Sequence, residues 1–393
     1  MNFPERFSDL PEYAFPRLRG LLDAHAPGKD PIVMTIGEPM HAIPPFVAET
    51  VAEHAPDFRR YPPNEGIPEL RGAIAGWLAR RYGVQADPER EITVLNGTRE
   101  GLYNAAMAIC PEAKGGGRPV VLIPNPFYQV YAVAALSVGA EPHYVPATAE
   151  TGFLPDYADL PGELLDRTAI AYICSPSNPQ GAVADREYWE ELIALAERHD
   201  FIIFADECYS EIYRDAPPPG AFEIARGIGA DPERVLIFHS LSKRSNLAGL
   251  RSGFVAGGPR SLAHIKKLRA YAGAPLPLPL QHVAVKAWKD DTHVRESRAL
   301  YQEKYRIADD ILSGLPGYRP PQAGFFLWIE VEDGEAAALK LWREEGVRVL
   351  PGAYLGREGS AGNPGKKYIR AAMVAPKEEM RRGLERLRSC LQD

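Results

Sequence analysis

Four times between residues 119 and 238 the chain runs from a short apolar stretch into a polar cluster. The stretches are Pro119-Val120-Val121-Leu122-Ile123, Ala169-Ile170-Ala171-Tyr172-Ile173-Cys174, Phe201-Ile202-Ile203-Phe204-Ala205 and Val235-Leu236-Ile237-Phe238. None alternates apolar with polar, which is the pattern of strands buried on both faces of a mostly parallel sheet. Between them the spacing turns helical. Over 185–199, Tyr188, Trp189, Leu192, Ile193 and Leu195 recur on one side of a predicted helix. Strand–helix alternation predicts an α/β fold, with a mostly parallel sheet flanked by helices.

The polar clusters are Asn125-Pro126-Phe127-Tyr128, Ser175-Pro176-Ser177-Asn178-Pro179, Asp206-Glu207-Cys208-Tyr209 and Ser240-Leu241-Ser242-Lys243. Ligands of open α/β sheets bind beyond the carboxyl ends of the strands, so four clusters at four such ends predict one shared site.

The pattern changes at Pro275, Pro277 and Pro279, which read as a hinge. A charged helix is predicted over 281–312, strands over 325–329, 347–350 and 368–370, and a last helix over 377–391. These make a smaller α+β domain. The expected division is residues 1–45 as an N-terminal arm and lid joining the small domain, 46–278 as the large cofactor-binding domain, and 279–393 as the small C-terminal domain. Gly115-Gly116-Gly117 lacks the lysine and hydroxyl of a phosphate-binding P-loop and reads as a flexible turn.

Composition narrows the function classes. The 393 residues carry 45 basic against 52 acidic side chains, a net charge of −7, which points to neither nucleic acid nor an anionic membrane as partner. Cys110, Cys174, Cys208 and Cys390 are scattered, without metal-ligand spacing. The opening Met1-Asn2-Phe3-Pro4-Glu5-Arg6 has no secretory pattern, and no apolar run spans a bilayer, so a cytoplasmic location is expected.

The richest chemistry lies in Ser240-Leu241-Ser242-Lys243-Arg244-Ser245-Asn246-Leu247-Ala248-Gly249-Leu250-Arg251. A lysine between small hydroxyls, with an arginine beyond, suits Schiff-base formation with an aldehyde cofactor whose phosphate takes hydroxyls and a guanidinium. The run resembles the lysine motif of the class I/II aminotransferases, fold-type-I enzymes that use pyridoxal 5'-phosphate (PLP). Gly37-Glu38-Pro39, Tyr61-Pro62-Pro63-Asn64-Glu65-Gly66, Asn96-Gly97-Thr98, Ser175 to Pro179 and Asp206-Glu207-x-Tyr209 resemble that family in order across essentially the whole chain. One departure is Gln180, where the family has threonine before Gly181.

PLP makes definite demands on the remaining residues. A carboxylate must keep the pyridine nitrogen protonated, and Asp206 at a strand tip is the candidate, against the plainer reading of a helix N-cap. Tyr209 and Asn178 are placed to tune the phenolic oxygen. Tyr128 offers an aromatic platform for the ring, with Phe127 the runner-up. Ser240, Ser242 and Arg251 would hold the phosphate with Gly97, Thr98 and Arg99, which open a predicted helix continuing over 102–109. The substrate α-carboxylate calls for an arginine fork, assigned to Arg370 at the end of a small-domain strand. Gly37 would add backbone contacts within a lid. Lys243, once displaced from the cofactor, serves as general acid and base.

The resemblance further implies a homodimer with shared active sites, in which Tyr61 reaches the neighbouring subunit's phosphate. Longer strings, including Asn125-Pro126-Phe127-Tyr128-Gln129, residues 205–213 and residues 240–255, are similar to proteobacterial N-succinyldiaminopimelate aminotransferases of lysine biosynthesis. They imply ping-pong transfer through the pyridoxamine form between glutamate or 2-oxoglutarate and N-succinyl-LL-2,6-diaminopimelate. Arg99, Arg244 and His41 are candidates for the distal carboxylate. The rival readings are an aromatic or kynurenine-type aminotransferase, a C–S β-lyase, and a non-catalytic PLP sensor domain.

Overall fold

The computed structural model describes residues 5–8, 10, 12–359 and 362–392. The opening Met1-Asn2-Phe3-Pro4, read above for a secretory signal, lies outside them. A short strand, β1 (Ile32–Val33), precedes seven strands of one sheet: β2 (Ile92–Leu95), β3 (Val120–Asn125), β4 (Glu141–Pro146), β5 (Thr168–Cys174), β6 (Ile202–Asp206), β7 (Val235–Ser240) and β8 (Gly253–Gly257). Their order is β2-β8-β7-β6-β5-β3-β4, with β8 antiparallel to both neighbours and the other pairs parallel.

The four apolar runs became β3, β5, β6 and β7, all central in the sheet. Alternate residues feed opposite faces: Val120 and Leu122 join one core with Trp77 and Trp189, while Val121 and Ile123 join another with Leu102 and Tyr131. The helix Arg186–His199 forms as its spacing predicts, and the Asp185 carboxylate accepts from the Tyr188 amide at 2.9 Å to cap it.

The remaining strands are β9 (Phe326–Glu330), β10 (Val347–Arg348), β11 (Leu350–Pro351) and β12 (Tyr368–Ala372). β12 lies between β11 and β9 in an antiparallel sheet, and the helices Thr292–Leu312 and Lys377–Gln392 pack on each other beside it. Pairing of β1 with β10 ties the N-terminal segment to this unit, and Met34 accepts a backbone hydrogen bond from Ala372 at 2.7 Å. That anchor delivers the following residues, Thr35 to Gly37, to the site.

The helix expected over 281–312 is two helices, Leu278–Lys289 and Thr292–Leu312. Asp290 causes the break: its carboxylate accepts from the Thr292 amide at 2.9 Å, offering the backbone an alternative to continued helix. The helix Leu278–Lys289 packs on the helices Phe46–His54 and Pro68–Tyr82. Pro279 lies inside the first turn of that helix, where a missing amide is tolerated, and the loop ends at Pro277.

Candidate active site

A cavity of about 360 Å³ opens beyond the carboxyl ends of β5, β6 and β7, where the sheet meets β12. Its walls include Gly37, Thr98, Arg99, Tyr128, Asn178, Asp206, Tyr209, Ser240, Ser242, Lys243, Arg251 and Arg370. Of the residues singled out from sequence, Gly97, Tyr61, Arg244 and His41 stand apart. Gly97 abuts the Arg251 guanidinium just behind the wall, and Tyr61 is fully exposed on the surface.

Asp206 is the last residue of β6 and is buried. Its Oδ2 accepts from the Tyr131 hydroxyl at 2.7 Å, and Oδ1 accepts from the Cys208 amide at 3.4 Å. Burial pushes its pKa above the usual carboxylate value. An opposing cation, such as a protonated ring nitrogen, would favour the charged form. Tyr209, three residues on, sits edge-to-face on Phe325 and Phe326 at 5.4 and 6.0 Å.

Lys243 stands on the one-turn helix Leu241–Arg244, capped by Ser240, whose Oγ accepts from the Ser242 amide at 3.0 Å. Its Nζ donates to the Gly37 carbonyl oxygen and has no carboxylate partner among the described residues. Burial pulls its pKa down to about 8. A lysine held this way is readily available as a free amine, the form a nucleophile needs.

At one end of the cavity, hydroxyls and a guanidinium meet the start of the helix Thr98–Ile109. Ser240 and Ser242 hydroxyls are 2.8 Å apart, and Arg251 anchors itself by donating to the Ala248 carbonyl at 2.9 Å. Gly97 has φ of 83°, and a Cβ there would lie 2.1 Å from Arg251 Nη2. The chain can bring this helix start against the arginine only with glycine.

On the small-unit side Arg370 rises from β12. Nη1 donates to Asn178 Oδ1 at 3.0 Å and Nη2 to the Thr35 carbonyl at 2.9 Å, while Nε has no protein partner. Its guanidinium lies over Phe326 at 4.1 Å. No carboxylate pairs with it among the described residues, and burial lowers its pKa to about 10. A buried guanidinium without an anion is a costly arrangement unless one arrives.

The structure also places residues the sequence did not single out. Tyr131 supports Asp206, the Thr35 carbonyl orients Arg370, and Tyr13, Ala14 and Phe15 line the mouth. Tyr131 follows Tyr128 by three residues on the helix side facing the site, a spacing that could have flagged it. At the mouth, Arg99 Nε donates to the Tyr128 hydroxyl at 2.6 Å. Arg244 lies elsewhere, buried against Trp77 and Trp288 and paired with Asp291 at 2.8 Å. His41 packs on Tyr301.

Comparison with known proteins agrees with this geometry. The family model for aminotransferase class I and II matches residues 29–387. The chain belongs to that family. It is 34% identical, over all of its length and 99% of the relative's, to the LL-diaminopimelate aminotransferase of Desulforudis audaxviator (strain MP104C). A crystal structure of an aminotransferase from Neisseria meningitidis Z2491 superposes with a TM-score of 0.94 at 37% identity, covering 99% of this chain and 100% of that one. A probable N-succinyldiaminopimelate aminotransferase from Thermus thermophilus gives 0.80 at 27% identity, covering 96% and 98%.

This aminotransferase is therefore a PLP enzyme. Its cavity brings together groups that suit the cofactor: hydroxyls and a guanidinium, a buried carboxylate, and a lysine whose Nζ donates to a carbonyl. No described helix is long and apolar enough to cross a membrane.

Proposed function

We propose that Thr98, Ser240, Ser242 and Arg251, with Gly97 allowing their approach, hold the PLP phosphate. In this reading Asp206 faces the ring nitrogen, Tyr209 and Asn178 the phenolic oxygen, and Tyr128 the ring. When bound, PLP accepts the electron pair left as a bond at the substrate Cα breaks. The protein supplies the rest. Arg370 takes the α-carboxylate, and Lys243 Nζ would take the proton from Cα and pass it to the cofactor carbon that keeps the amino group, as general acid and base. Tyr131 holds the Asp206 carboxylate in place. Tyr61, exposed on one copy, reaches the site of a second copy in a homodimer.

For the substrate, we infer an amino acid of the diaminopimelate class, exchanged with glutamate and 2-oxoglutarate. The N-succinyl-LL form is our first reading, supported by the sequence strings and by the name of the Thermus thermophilus protein. The free LL form is the second, favoured by the name of the Desulforudis audaxviator relative. The single observation carrying the amino-acid chemistry is Arg370, buried, without a carboxylate partner among the described residues, and lining the Lys243 cavity. Arg99 at the mouth is the cation placed to meet a distal carboxylate.

Absorbance of the holoenzyme, followed as each amino donor is added alone, tests the assignment. Conversion of the cofactor to its amine form by glutamate and by N-succinyl-LL-diaminopimelate supports the first reading. Conversion by glutamate and LL-diaminopimelate only selects the second. Conversion by glutamate alone removes both, and pyruvate release from cystathionine without a keto acid would establish a lyase.

A further inference from the structure

Away from the active site, three side chains converge where the helix Phe46–His54 runs into the 3-10 segment Ala55–Arg59. His54 ends the first element, Asp57 lies in the second, and His282 projects from the middle of the facing helix Leu278–Lys289. His54 Nδ1 is 3.4 Å from Asp57 Oδ2, and His282 Nε2 is 3.9 Å from the same oxygen. The three ligand atoms all lie within 4.8 Å of one another, and no ion is present.

From these residues we propose a divalent transition-metal site of the zinc type, with His54, Asp57 and His282 as protein ligands. Zinc bonds to imidazole nitrogen and carboxylate oxygen near 2.0–2.2 Å, so ligand atoms around a tetrahedral ion lie about 3.3–3.6 Å apart. The 3.4 Å spacing lies in that range and the 3.9 Å spacing just outside it, while the two nitrogens lie within 4.8 Å of each other. The imidazoles stack at 3.7 Å with an interplanar angle of 12°. One ring must turn out of this stack for both nitrogens to face one ion. Two nitrogens and one carboxylate favour zinc-like ions over magnesium or calcium, which take oxygen sets.

Each side chain is roughly a quarter exposed, so an ion can enter from solvent and keep water at a fourth position. Glu53 Oε1 lies 3.8 Å from His54 Nε2, the ring nitrogen turned away from the cluster. Two other charges border the cluster: Arg60 contacts Asp57 Oδ1 at 3.8 Å, and Lys286 contacts Glu53 at 3.6 Å. Both touch oxygens other than the proposed ligand atom. The ion would cross-link two elements separated by more than two hundred residues.

Calorimetric titration of the purified holoenzyme with zinc chloride tests the site, beside the His282→Ala and Asp57→Asn variants and a magnesium control. The proposal predicts saturable micromolar binding, loss of that binding in both variants, none with magnesium, and a zinc-dependent rise in the unfolding midpoint of the parent alone. Cobalt in place of zinc should give the visible absorption of a four-coordinate ion. Absence of micromolar binding overturns the proposal. Zinc binding unchanged in His282→Ala overturns it equally, since the ion would then sit elsewhere.

Discussion

The Tyr131 hydroxyl donates to Oδ2 of Asp206 at 2.7 Å, inside the core beneath the active-site cavity. The other carboxylate oxygen takes a 3.4 Å bond from the Cys208 amide, and the Cys208 side chain also bonds the carboxylate, so Tyr131 is one of its fixed supports. Tyr131→Phe keeps the ring and its stack on Tyr172 at 4.4 Å but removes this bond. Burial already favours the neutral acid, and losing a donor to the carboxylate favours it further. Cofactor affinity of the apoenzyme should fall by about 0.5–1.5 kcal/mol, read from a PLP titration. An unchanged affinity would separate Asp206 from cofactor binding.

Arg370 should separate stability from activity. Arg370→Met removes a buried charge that has no carboxylate partner, so the unfolding midpoint holds or rises. The same variant should lose about 2–5 kcal/mol in kcat/KM, the scale for losing one partner of a desolvated pair. Parallel denaturation and steady-state assays check both halves.

Gly97→Ala forces a side chain into a backbone region occupied almost only by glycine and against Arg251. The backbone term is on the order of 1–3 kcal/mol of stability. Displacement of the guanidinium should also weaken binding of inorganic phosphate to the apoenzyme. Phosphate binding that survives the substitution would move the anion site away from Arg251.

Lys243 gives the apoenzyme a pH signature. In the unfolded chain a lysine keeps its proton to about pH 10.4, whereas burial brings Lys243 down to about 8. The folded state therefore binds fewer protons between those values, and stability relative to Lys243→Met rises with pH across that window. Cofactor capture should accelerate as pH climbs through about 8, because the amine is the reacting form. Stopped-flow absorbance against pH checks this, and a rise centred near 10 would contradict the burial argument.

Most of the sheet was legible because β3, β5, β6 and β7 are buried on both faces and must be apolar along their lengths. β2, β4 and β8 were not singled out, although β2 and β8 are buried along their lengths too. β4 carries Pro142 and Pro146 on the sheet edge, and β8 begins and ends in glycine. At Gly253 and Gly257 a Cβ would meet the backbone oxygens of His239 and Val235 at 2.6 and 2.3 Å. Close packing against β7 therefore shortened the apolar run of β8 to Phe254-Val255-Ala256. The helix break at Asp290 was hidden because apolar spacing resumes after it.

Asp206 ends β6 and Lys243 follows β7 on a one-turn helix, so both stand just after apolar runs that mark them in sequence. Arg370 lies in the middle of β12 rather than at its end. Supports that arrive by tertiary approach left little trace. The Thr35 carbonyl is backbone and has no side-chain signature, and Phe15 reaches the mouth from a helix more than two hundred residues away from Lys243. Arg244 neighbours the reactive lysine in sequence yet turns into the core, where two tryptophans and Asp291 hold it.

Borohydride treatment of the holoenzyme, followed by peptide mapping, tests the central claim most directly, because reduction fixes the cofactor on whichever amine holds it. The account predicts the phosphopyridoxyl group on Lys243, with none retained covalently in Lys243→Ala. Labelling on any other lysine, or turnover at the parent's rate in Lys243→Ala, would contradict it.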